Sequence, residues 1–103
     1  MEIKIDDELL KKAVLVYGTR SQERMVIEEI AELLDALMKY HRERATIGNV
    51  NEEIADVLIM LGQLIYMLDP SDEEERSVED WINYKLARLK DRLDKHQNKF
   101  INN

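Results

Sequence analysis

The chain contains no cysteine, one proline, three glycines and one phenylalanine. Without thiols it can form no disulfide and offers no thiolate to a metal. Nothing in it calls for an oxidising compartment. Its first residues, Met1 to Asp7, are acidic and lack the pattern of a secretory leader. A cytoplasmic protein is the expectation. The scarcity of Gly and Pro, beside abundant Leu, Ile, Glu, Lys and Arg, favours helices joined by short turns. No apolar run reaches the ~20 residues a membrane span needs. The most apolar stretch, which begins at Ile54, is interrupted by Asp56 and Gln63. Basic residues are also in deficit, 15 against 22 acids, for a net charge of −7. That balance argues against a general nucleic-acid binder, which needs a basic face. Contact with a polyanion would have to run through metal ions.

At 103 residues, 45% of them apolar, the chain fits one helical domain, residues 1–103, with a modest core. Four helices are predicted. The first runs over Asp6 to Tyr17, with Asp6, Asp7 and Glu8 at its start and Gly18 as its stop. The second starts at Thr19, read as an N-cap with Gln22 completing a capping box, and runs to about Arg44. Val26, Ile30, Leu33, Leu34, Leu37 and Tyr40 share one face of it, with Ile30, Leu33 and Leu37 central. Thr46 to Asn51 reads as a connection, with Gly48 and Asn49 in the turn and Asn51 capping the third helix. That helix carries Ile54, Val57, Leu58, Leu61, Leu64, Ile65 and Leu68 on one stripe. Ile59, Met60, Tyr66 and Met67 lie on other faces. A helix apolar on several sides wants cover on several sides, and so short a chain has few elements to give it. A homo-oligomer is expected. Asp69-Pro70-Ser71-Asp72 ends the third helix, and Glu73 to Glu75 reads as solvated. The fourth helix runs from Val78 to about His96, and Gln97 to Asn103 reads as a tail.

Two acidic pairs stand out. Glu29 with Glu32, and Glu53 with Asp56, are each three residues apart on a helix, hence on one face. Such pairs are usually solvated surface. Here Glu29 borders an apolar stripe and Asp56 lies on the most apolar helix, where an unpaired charge is costly. If the two helices pack together, four carboxylates converge, and their repulsion calls for a cation. Magnesium, which takes oxygen ligands and bridges substrate phosphates, is the candidate ion, and manganese the second. Glu28 faces further from the core. On the fourth helix Asn83, Lys85 and Arg88 are a polar set able to reach phosphate, while Lys90, Arg92 and Lys95 are read as surface. Trp81 reads as core, and His41 and His96 have no ligand-like spacing.

The order Glu28-Glu29-Ile30-Ala31-Glu32, then Glu53-Ile54-Ala55-Asp56, then Asn83-Tyr84-Lys85-Leu86-Ala87-Arg88, resembles the MazG-type all-α nucleoside triphosphate pyrophosphohydrolases. The likeness extends over roughly Gln22 to Arg88. Leu89 departs from it, since the family often has a second basic residue there. The resemblance implies a four-helix-type bundle completed by dimerisation, sometimes paired again into a tetramer. It implies hydrolysis of an NTP or dNTP between the α- and β-phosphates, giving the monophosphate and pyrophosphate. By position, Glu29, Glu32, Glu53 and Asp56 would bind magnesium, and Glu28 would support the site or orient the water. Lys85 and Arg88 would contact phosphate, and Asn83 the nucleotide. Three other readings stay open: a non-catalytic oligomerisation or nucleotide-binding module, a dUTPase-like specificity, and a phosphoribosyl-ATP pyrophosphohydrolase-like one.

Overall fold

A computed structural model describes residues 2–68 and 75–101. The break expected at Asp69-Pro70-Ser71-Asp72, and Glu73 and Glu74 of the acidic run, lie outside them. Four helices and no strand occur among the described residues: α1, Asp7–Tyr17; α2, Thr19–His41; α3, Ile47–Met67; and α4, Val78–Ile101. The all-α class follows the sequence reading. The chain divides into two compact units, Met1–Leu68 with α1 to α3, and Asp69–Asn103 with α4.

Within the first unit α2 and α3 form the main packing pair, and α1 lies against both. Asp6 caps α1, its Oδ1 accepting from the Leu9 N–H at 3.2 Å. This satisfies one of the donors that a helix start leaves unpaired. Leu10 and Val14, one turn apart, form the buried face of α1. Leu10 sits over Gly62 of α3 so closely that a Cβ at Gly62 would lie 2.5 Å from its Cδ1. With Val26 of α2 and Val57 and Met60 of α3, they make up the buried apolar core of the described chain. Each such side chain contributes roughly 1.5–3 kcal/mol by leaving water.

The helix starts differ from expectation in two places. Thr19 is the first residue of α2, not its cap. Gly18 holds the cap position at φ 89° and ψ 149°, with no side-chain cap. Gln22 therefore completes no capping box and is buried instead. α3 starts at Ile47, so Gly48, Asn49 and Asn51 belong to the helix and not to a connection. Its cap is Thr46: Thr46 Oγ1 accepts from the Asn49 N–H at 3.1 Å, and Asn49 Oδ1 accepts from the Thr46 N–H at 2.9 Å. Asparagine here does what glutamate or glutamine does in the usual capping box.

Between them, α2 ends at His41, short of Arg44. Glu43 turns left-handed at φ 58°, and the Arg44 N–H closes on the Lys39 carbonyl at 2.8 Å. In the second unit α4 begins with a reciprocal pair of its own. The Asp80 N–H donates to Ser77 Oγ at 3.1 Å, and the Ser77 N–H to Asp80 Oδ2 at 3.3 Å. α4 continues past His96 to Ile101, through most of the stretch read as a tail.

The apolar stripes are only partly covered. On α2 the stripe centre is half-exposed: Ile30 and Leu37 are 38% and 41% accessible, and Val26 and Gln22 are buried in their place. α3 keeps Ile54, Ile59, Ile65 and Tyr66 exposed. Within its own unit, Trp81 is exposed at 44%, not core.

Gly18 gives a direct test of the α1–α2 corner. Its backbone lies in a region that only glycine adopts readily, and a Cβ there would meet nothing within 4 Å. Gly18→Ala should cost about 1–3 kcal/mol in urea denaturation, from backbone strain alone. Gly48→Ala, in the first turn of α3 with ordinary room for a Cβ, should be neutral or stabilising by up to about 1 kcal/mol. Equal effects at the two positions would contradict this account.

Candidate metal centre

α2 and α3 run antiparallel. Gln22 near the start of α2 bonds Gln63 near the end of α3 at 2.7 Å, and Glu29 further along α2 meets Asp56 and Glu53. One carboxylate oxygen from each of Glu29, Glu53 and Asp56 lies within 4.8 Å of the other two. The two acidic pairs singled out by their spacing thus face each other across the helix pair. Each of the three side chains is half-buried.

This cluster is electrostatically uncompensated. Among the described residues no ion pair reaches it; the salt bridges are local surface pairs such as Lys39–Asp35. Glu29 Oε2 and Glu53 Oε2 are buried without a hydrogen-bond partner. Both carboxyls titrate above their usual 4.5. For Glu29 the cause is first burial, then repulsion from Glu32 and Asp56. For Glu53 it is again burial first, then Glu32 and Asp56. Glu32 thus raises both carboxyls. It is itself exposed and lies beside the three-oxygen cluster as its outer member.

Two unsatisfied buried oxygens in an all-carboxylate group are what a hard divalent cation would satisfy. The donor set fits magnesium or manganese and gives a soft metal nothing to prefer. Beside the cluster opens a cavity of ≈ 310 Å³, lined in part by Glu32, Glu53, Lys39, Arg44 and Asn49. The sequence had given Lys39, Arg44 and Asn49 no part in the site. Glu28 points elsewhere. It lines a separate cavity of ≈ 590 Å³ at the α1–α2 corner, with Tyr17, Arg20 and Arg24.

A family model for the MazG nucleotide pyrophosphohydrolase domain matches residues 18–96. The chain belongs to that family. It is accordingly a nucleotide pyrophosphohydrolase, a hydrolase acting on phosphoric anhydride bonds. Neither curated proteins nor solved structures yield a match. The matched region spans both units and includes Glu28, Glu29, Glu32, Glu53 and Asp56, together with Asn83, Lys85 and Arg88 of α4. Among the described residues no helix is long and apolar enough to cross a membrane.

Within α4, Arg88 lies over the ring of Tyr84 at 5.8 Å, and Arg76 over Trp81 and Tyr84 at 4.8 and 5.5 Å. Trp81 and Tyr84 meet edge to face, with centroids 6.0 Å apart. Asn83 and Lys85 are exposed on the same helix. Spacing on a single helix could not show this aromatic–guanidinium row, because Arg76 joins it from before the first turn.

The raised carboxyls of this MazG-family chain fix a sign. A carboxyl whose folded pKa lies above its unfolded value contributes stability below the unfolded value. That stability is lost as pH rises through the folded one. Metal-free protein should therefore lose stability at Glu29 and Glu53 as pH rises above about 4.5, the usual value. Glu29→Gln and Glu53→Gln should each raise the thermal midpoint in metal-free buffer at neutral pH, with the gain shrinking toward about pH 4. A lower midpoint at neutral pH in both variants would contradict the assignment.

Proposed function

We propose that this protein is a magnesium-dependent pyrophosphohydrolase cleaving an NTP or dNTP between its α- and β-phosphates, with release of the monophosphate and pyrophosphate. The observation that carries the reading is the convergence of Glu29, Glu53 and Asp56, with two buried oxygens left without partners, in a chain of this family. Those three residues would hold the ion, and Glu32 beside them would complete the acidic set. When bound, the ion would neutralise and orient the polyphosphate and lower the pKa of a coordinated water.

The remaining steps fall to side chains. A carboxylate of the cluster takes the proton of the attacking water. The bond to the oxygen bridging the α- and β-phosphates breaks, and pyrophosphate leaves with the added charge. Lys85 and Arg88 are assigned to phosphate oxygens, where fixed cations stabilise that charge, and Asn83 to the nucleotide. The motif on α4 is the support for these three roles. No covalent nucleophile is needed.

Self-association belongs to the same reading. Ile30, Leu34 and Leu37 on α2 and Ile59, Ile65 and Tyr66 on α3 are exposed in the single chain, and exposed apolar side chains grouped on a helix face are a common mark of an interface. A homodimer or homotetramer would cover them, and light scattering should return a mass of at least twice 12.2 kDa. A monomer would defeat this part of the proposal.

Activity is tested with a panel of canonical and modified nucleotides in magnesium, with pyrophosphate measured. Release is expected from at least one of them, and Glu53→Gln should lower kcat by about 10²-fold or more. Nucleotide binding without release by the native chain would make it a non-catalytic module. The products distinguish the dUTPase-like and phosphoribosyl-ATP-like specificities.

A further inference from the structure

Two glutamines, Gln22 and Gln63, have no part in the chemistry above, yet they are the most thoroughly buried polar side chains described. Gln22 is 6% exposed and Gln63 4%. Gln22 Nε2 donates to Gln63 Oε1 at 2.7 Å, and Gln63 Nε2 turns to Met60 Sδ at 3.5 Å. The pair bridges α2 and α3 inside an otherwise apolar contact made by Val26, Val57 and Met60.

Position relates this pair to the acids. Glu29 lies seven residues after Gln22, and Asp56 seven before Gln63. Three residues further along each helix come Glu32 and Glu53. Seven residues are about two helical turns, so each glutamine and its acid share a face. In antiparallel helices, setting Gln22 opposite Gln63 therefore sets Glu29 opposite Asp56 and Glu32 opposite Glu53. We propose that the buried Gln22–Gln63 amide pair is the register lock of α2 and α3, and that these two residues are positioning residues for the carboxylate cluster.

The apolar contacts alone do not fix this register. Apolar side chains three and four apart form repeating ridges, and a slip of one turn, about 5.4 Å, exchanges one set of apolar neighbours for another. Two buried amides behave differently. After a slip each loses its partner while remaining out of water, and an unpaired buried polar group is costly. A single buried polar pair specifies helix register in this way in coiled coils. A slip in one direction would set Asp56 opposite Val26, and in the other Glu29 opposite Ile59. Either would leave one facing acid pair in place of two: Glu29 with Glu53 in the first case, Glu32 with Asp56 in the second.

The effect on the site rests on the metal-centre reading, but the register itself does not, and the two can be measured apart. The variant is Gln22→Leu/Gln63→Leu, which replaces both partners with apolar groups of similar size and so leaves neither amide stranded. Its urea stability should be at or above that of the native chain. The chain has no cysteine, so one chain can carry two nitroxides, at Glu23→Cys on α2 and Ala55→Cys on α3, both at exposed positions. Pulsed electron resonance on labelled chains diluted with unlabelled ones should give one distance with the glutamines present. In the double-leucine background it should broaden or gain a second distance displaced by about one turn. Manganese affinity, read calorimetrically, should fall about 10-fold or more although stability is kept. An unchanged single distance in the double-leucine chain overturns the register lock, whether or not manganese binds. A shifted distance with unchanged manganese affinity overturns the positioning role. Absence of manganese binding by the native chain defeats the metal-centre reading, and the distance measurement still decides the register.

Discussion

The constraint on which this structure turns is a repulsion. Carboxylate oxygens of Glu29, Glu53 and Asp56 are held within 4.8 Å of one another, and no cation of the described chain is paired with them. Burial and mutual charge push the Glu29 and Glu53 carboxyls up together. A helix pair that only needed stability would gain by separating these groups or by pairing them with Lys or Arg. Among the described residues of the first unit, no basic side chain is in an ion pair with the cluster. Stability given up at one place on a helix pair is the expected mark of a site built for a ligand, and a hard divalent cation is the ligand that oxygen-only donors recognise.

Around that repulsion the first unit is organised as a frame. The α2–α3 contact carries the acids on facing sides. α1 closes on α3 through Leu10 over Gly62, where the absence of a side chain brings the two helices close. The Thr46–Asn49 box fixes where α3 begins, and so where Glu53 falls on its second turn. The left-handed Glu43 ends α2 and returns Arg44 to the mouth of the cavity beside Glu32 and Glu53. The hydrogen bonds of the cap and the turn are local interactions worth on the order of 1 kcal/mol each. Their combined effect is to fix the direction and start of two helices whose acids must meet.

Legibility followed physical range. The acids were readable because a three-residue spacing on a helix is a local fact, and because Glu29 borders an apolar stripe. The family likeness rested on the same residues and on Asn83, Lys85 and Arg88. Helix starts were less legible. Gly48 and Asn49 are turn formers in most settings, and only the reciprocal Thr46–Asn49 bonds show that they open a helix. Gln22 was misread for a related reason: an amide three residues after Thr19 suits a capping box on paper, and only the neighbouring helix reveals its partner, Gln63. Periodicity placed Ile30, Leu33 and Leu37 at the centre of an apolar stripe, but it cannot say what covers the stripe, and within one chain Ile30 and Leu37 stay half-exposed.

The central claim is that Glu29, Glu53 and Asp56 form a metal centre. The most direct measurement is anomalous scattering at the manganese edge from crystals grown with manganese. The account predicts a peak enclosed by these three carboxylates, within bonding distance of their oxygens. A structure at full manganese occupancy elsewhere on the chain, with no peak between α2 and α3, would contradict it.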